Sequence, residues 1–204
     1  DGETANPALE LKEILRESGS EGKSIGVEYD SYGLTAKNGK MLDSVLDDFC
    51  NLTDASDLVN RLRVVKSQKE LVYVRKAAEL ADDALDEAHR LVRDGCDEGE
   101  LLAAMQGAVF RGGGDYPGNE FIIGSGENAL LCRYYSGRRK LSSEDQITLE
   151  WAGAYRHYHA AMMRTIPVGR VTDQHQKMFY VCLESMEACQ KALHPGSAIG
   201  EVFD

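Results

Sequence analysis

Residues 147–165 read ITLEWAGAYRHYHAAMMRT and bring together a carboxylate, two imidazoles, two guanidiniums and three large aromatic rings. An apolar run leads to Glu150, the turn-prone AGAYR follows, and a second run returns to Arg164-Thr165. That layout predicts a β-hairpin holding charged groups at the floor of a pocket. Glu150, with Trp151 and Tyr155 lowering the local dielectric, could pair with a cationic substrate and then attack its electrophilic carbon or activate a water. The bland alternative is a strand-end carboxylate bonded to Arg156 or Arg164. Trp151, the only tryptophan, could lay its ring over a cation for about 1–2 kcal/mol when desolvated, or simply fill a core. His157 and His159 alternate with Tyr155 and Tyr158, which places both on one strand face. Without a third local ligand they make a poor metal site. Upstream, Arg133 could clamp a substrate carboxylate in a bidentate fork, pair with Glu150 and hold it ionised, or lie on the surface.

The elements that must position these groups follow from periodicity. PALELKEILRE at residues 7–17 is an amphipathic helix pattern, SIGVEYD a short strand, and residues 39–48 a second helix. LVNRLRVVKS bridges to the longest helix, which opens on Ser67-Gln68-Lys69-Glu70, a capping-box signature. Its apolar stripe runs from Leu71 through Val74, Ala77, Ala81, Leu85 and Ala88 to Leu91, with Gly95 as the stop. Asp97 caps a further helix that ends at Gly112-Gly113-Gly114, a glycine run outside any phosphate-loop context. Residues 119–170 then alternate β-prone runs with Gly-rich turns, the pattern of antiparallel strands. Arg138-Arg139-Lys140 reads as a solvated turn. A last long helix spans Asp173 to about Leu193, and HPGSAIGEVFD leads toward another.

Composition limits the partners. The 204 residues carry a net charge of −11 with 43% hydrophobic and 28% charged residues, as in an ordinary globular protein. Such acidity argues against nucleic acid or an anionic membrane as partner, since both require clustered Lys and Arg. No apolar run approaches the roughly 20 residues that span a bilayer. Five widely spaced cysteines without a C-x-x-C pair read as free thiols in a reducing cytoplasm.

Four segments in order resemble the pita-bread family of creatinase, aminopeptidase P, prolidase and methionine aminopeptidase. They are LRVVKSQKELVYVRKAAELADDAL, IIGSGENALLCRYY, the hairpin ending MMRTIPVG, and ALHPGSAIGEVFD. The resemblance implies an α+β fold in which helices flank an antiparallel sheet. Residues 61–204 would be the first part of the pita-bread catalytic domain, with its carboxy-terminal half absent from this chain. Residues 1–60 would be the end of a smaller α/β amino-terminal domain.

In the metallopeptidase branch of that family the hairpin supplies two aspartates eleven residues apart, which hold a pair of divalent metals. The matching positions here are Glu150 and Ala161, so one bridging acid is a methyl group, and the expectation is no metal and no cofactor. Where the family places an active-site histidine after its SGxN segment, this sequence has Arg133, which cannot serve as a general base. His159 could replace it. Arg164 belongs to the family's Arg-Thr pair, which orders the hairpin or touches substrate. The wording LEWAGAYRHYHAAMMRT is closest to the metal-free, creatinase-like branch that includes ectoine hydrolase. The implied function is a cytoplasmic, homodimeric hydrolase cleaving a C–N bond in a small zwitterionic cyclic amidine, ectoine above all. The alternatives are a creatinase-type amidinohydrolase or a metal-dependent Xaa-Pro dipeptidase or aminopeptidase. Glu150 and His159 are the expected catalytic residues; Arg133, Trp151, Tyr155 and Arg164 are the expected substrate contacts.

Overall fold

A computed structural model describes residues 6–130 and 139–203. The chain divides into two units after Ser67. In the first, helix α1 (Pro7–Glu17) begins where the Asn6 side chain accepts the Ala8 N–H at 3.0 Å, with proline in the first turn. Strand β1 (Ser24–Val27) pairs in parallel with β2 (Asn51–Asp54), Ser24 opposite Asn51 and Val27 opposite Asp54. Helix α2 (Ala36–Leu46) lies in the connection between them, as a parallel pair requires a crossover. It starts three residues earlier than its apolar pattern suggests because Thr35 Oγ1 accepts the Asn38 N–H. Strand β2 is too short and polar to show alternation. The supposed bridge after it is helix α3 (Ser56–Val64), whose Leu58, Leu62 and Val64 are exposed.

The second unit is built on α4 (Gln68–Leu91), α5 (Glu98–Arg111) and a three-stranded antiparallel sheet. Its strands are β3 (Ile122–Ser125), β4 (Gln146–Tyr155) and β5 (Tyr158–Pro167), in that spatial order. Helix α4 stops at Leu91, before the expected Gly95. That glycine instead turns the following loop at φ +77° and donates its N–H to Leu141 O. Asp97 caps α5 as its sequence predicts, accepting the Gly99 N–H at 2.8 Å.

The core lies between the helices and one face of the sheet. Leu80, Leu101, Met105, Ile123, Ile147 and Leu149 are inaccessible to solvent. Ala77, Ala81, Ala84 and Ala88 give α4 a face of methyl groups, so the sheet approaches its backbone closely. At the closest point a side chain on Gly153 would begin 2.0 Å from Ala77 O and 2.6 Å from Ala81 N. A longer residue at either place would force helix and strand apart.

Helix α6 (Asp173–Ala192) starts at a reciprocal cap, with Thr172 Oγ1 accepting the His175 N–H and His175 Nδ1 accepting that of Thr172. None of its residues is buried. The short α7 (Ile199–Phe203) follows. Among the described residues no helix is long and apolar enough to cross a membrane.

Candidate functional site

The hairpin forms, but its turn is not the expected AGAYR. Strand β4 continues through Ala152, Gly153 and Ala154 to Tyr155, which pairs with Tyr158. Only Arg156 and His157 remain for the turn, both with positive φ (51° and 64°). This is the two-residue geometry that matches the twist of a hairpin. His157 is thus a turn residue, and the expectation that it shares a strand face with His159 fails.

Register sorts the side chains, because residues opposite each other on paired strands point the same way. Ile147, Leu149 and Trp151 are buried toward the helices, while Thr148, Glu150 and Ala152 alternate to the other face. Opposite these three stand Thr165, Met163 and Ala161 on β5, and His159 lies opposite Ala154. Glu150 is half-buried. Among the described residues no hydrogen bond or ion pair reaches its carboxylate, so the bonds to Arg156 or Arg164 that a structural role would use are not made. The Arg164 guanidinium donates instead to Met163 O at 2.8 Å.

The candidates divide accordingly. Glu150 and His159 share the outer face but stand four residues apart along the ladder, roughly 13 Å. Trp151 does not lie beside Glu150: it is 3% exposed, and its indole N–H donates to Ala81 O at 3.0 Å. It takes the core role its sequence left open. Tyr155 also belongs to the helix side, packing edge-on to Tyr73 with ring centres 5.8 Å apart. Arg164, opposite Leu149, has the same parity and an exposed side chain. Arg133 lies outside the described residues.

Both imidazole nitrogens of His159 are engaged. Nε2 accepts the Gly118 N–H at 2.8 Å, and Nδ1 lies 3.0 Å from His157 O. The glycine run 112–114, read as a plain connection, has a steric purpose. A side chain on Gly114 would begin 2.6 Å from Val109 Cγ1 and 2.9 Å from Ala154 O.

Sequence reasoning missed a polar cluster at the other end of the sheet. Glu98, wholly buried, accepts both the N–H and the hydroxyl of Ser125, at 3.0 and 2.6 Å. Ser125 Oγ in turn accepts from Arg139, whose guanidinium also binds both oxygens of Asp145. Arg139 is therefore an anchor, not part of a solvated turn. Its hydrogen bonds hold the Asp145 carboxyl below the usual carboxylate range. Asp97-Glu98-Gly99 reads as an ordinary acidic helix start and gives no warning of this. Only the acid at helix position N1 beside a capping Asp97 could have hinted at it.

The donor set at the hairpin does not fit a metal pair. Ala161, diagonal to Glu150 on the shared face, offers no ligand atom. No cluster of three or more His, Cys, Asp or Glu that could hold an ion occurs among the described residues. Two dications a few ångströms apart repel each other about four times as strongly as unit charges, and of the two hairpin positions only Glu150 offers a carboxylate to offset that.

Comparison with known proteins places the chain. Residues 72–204 match the profile of metallopeptidase family M24, and residues 3–65 that of the creatinase/prolidase N-terminal domain. A Xaa-Pro dipeptidase of Pyrococcus furiosus is 24% identical over 193 residues, covering 95% of this chain and 53% of that protein. A Xaa-Pro aminopeptidase of Escherichia coli is 29% identical over 152 residues, covering 74% and 34% respectively. The solved prolidase from Pyrococcus furiosus superimposes with a TM-score of 0.80 at 23% identity, over 95% of this chain and 55% of that one. The chain spans about half the length of the curated relatives it matches.

Proposed function

Because the chain belongs to metallopeptidase family M24, we propose that the whole protein is a hydrolase of C–N bonds whose reacting group is Glu150, without a carboxylate-bridged metal pair. One observation carries this reading: Glu150 faces outward with no hydrogen bond or ion pair to its carboxylate among the described residues, and the position diagonal to it is a methyl group. A lone carboxylate on such a face suits an organic cation. The substrate proposed is a small zwitterionic cyclic amidine, ectoine being the first to try. Its amidinium ring would pair with Glu150, which then attacks the ring carbon or deprotonates a water that does so. Water's oxygen ends on that carbon, the C–N bond breaks, and the departing nitrogen takes the proton. Arg133 remains the proposed partner of the substrate carboxylate. A cytoplasmic homodimer completes the proposal.

A second reading has its own support. The relatives named above are Xaa-Pro dipeptidases and aminopeptidases, and they favour a metal-dependent peptidase over an amidine hydrolase. The two separate cleanly in one experiment on the whole protein. Ectoine, hydroxyectoine, creatine and Gly-Pro are offered before and after exhaustive chelation, with bound metal measured throughout. Amidine turnover that survives chelation is the expected result. Gly-Pro cleavage lost on chelation and restored by manganese would establish the peptidase reading instead.

A further inference from the structure

We infer that His159 is a positioning residue, whose neutral imidazole pins the loop of residues 115–120 to the hairpin end of the Glu150 face. The loop thereby forms one wall of the substrate cleft.

Four observations converge on this. Nε2 accepts the Gly118 N–H at 2.8 Å, so that nitrogen carries no proton. The proton must then sit on Nδ1, where it meets His157 O at 3.0 Å. The loop is attached independently at its start, where Asp115 donates its N–H to Ala154 O at 2.8 Å and its carboxylate accepts the His157 N–H at 3.1 Å. His159 is a side-chain tie for the part that follows, where Tyr116 also packs edge-on to Phe110 with ring centres 4.9 Å apart. Finally, register puts His159 on the face of Ala161 and Glu150, so whatever it holds stands over that face. Ala154, directly opposite His159, is wholly buried although its neighbour Ala152 is not.

The two-residue turn is part of the device. Positive φ at Arg156 and His157 sets Tyr155 against Tyr158, and a slip of one residue would carry His159 to the helix side. A protonated imidazole would aim a second N–H at that of Gly118 and break the tie. Charged or titratable groups on the elements around it are Asp115, Tyr116 and Glu120 in the loop, Arg156 and His157 in the turn, and Tyr155 and Tyr158 at the strand ends.

That the loop is held rests on geometry alone; that it walls a cleft rests on the function proposed above. The test keeps these apart by following amide exchange and steady-state kinetics in the whole protein. In His159→Ala the Gly118 amide is expected to exchange about tenfold faster, and KM to rise about 5- to 10-fold while kcat stays within about threefold. His159→Gln, whose carbonyl can accept the same N–H, should return both readings to within about threefold of the parent. Unchanged exchange in His159→Ala overturns the tie. A Gln variant that keeps slow exchange but loses kcat as fully as the Ala variant overturns the positioning role in favour of proton transfer. If no substrate is turned over at all, exchange still decides whether the tie exists, and only the proposed function falls.

Discussion

Glu150 and Ala161 are diagonal neighbours on one face of the β4–β5 ladder, Glu150 in register with Met163 and Ala161 with Ala152. Side chains so related stand about 7 Å apart, close enough for two acids to share an ion. The chain keeps the scaffold that would bring two carboxylates together but supplies only one. What the face retains is a single negative charge among Thr148, Thr165, Met163 and methyl groups.

Glu150→Gln keeps the shape of the side chain and removes both its charge and its nucleophilicity. Turnover of the amidine substrate by the whole protein should fall at least about 100-fold, while calorimetry still detects binding. Near-normal rates would make Glu150 merely structural.

Ala161→Asp restores the second acid. Titration calorimetry with manganese should show at least about tenfold tighter binding than in the parent protein, because two carboxylates now offset the cation's charge. Equal affinities would mean that the two positions do not converge on one ion.

Gly153→Ala tests the helix–sheet contact beneath the site. Its new methyl would begin 2.0 Å from Ala77 O and 2.6 Å from Ala81 N, both backbone atoms that cannot step aside. The expected loss is about 3 kcal/mol, the upper part of the range for overpacking, read as a lower denaturant midpoint. Wild-type stability would show that α4 can slide.

Asp145→Asn tests the buried anchor. Arg139 depresses the folded-state pKa of Asp145. Its contribution is therefore complete above the unfolded pKa of about 3.9 and is lost as pH falls through the lower folded value. At pH 7 the variant should be less stable by about 2 kcal/mol, a buried-pair figure reduced for solvent screening. Screening matters because the Arg139 side chain is 34% exposed. Melting temperatures of the two proteins should converge once the pH falls below the lowered folded value. A gap that persists there would assign the loss to packing.

The α4 stripe, the Asp97 cap and the hairpin were legible because each is local: spacing of 3.6, a side chain two residues from its amide, or two runs joined by a turn. The turn itself was misplaced because Ala152, Gly153 and Ala154 look like turn residues. Gly153 and Ala154 are small for another reason, contact with α4 and with the loop at Gly114. The Glu98–Ser125–Arg139–Asp145 cluster was invisible, since Glu98 and Ser125 are 27 residues apart.

The sequence by itself determined that the hairpin offers a carboxylate at Glu150 and that Ala161 brings no ligand, because residue identity decides which atoms can donate or bind; that Glu150 lies in mid-strand and does not end one came from the structure. Only the tertiary structure decided that Trp151 and Tyr155 turn away from Glu150 toward the helices, and that His159 is tied to Gly118. Those outcomes depend on strand register and on which face a helix covers. Both are fixed by contacts between segments distant in sequence, here α4 against β4 and the 115–120 loop against β5.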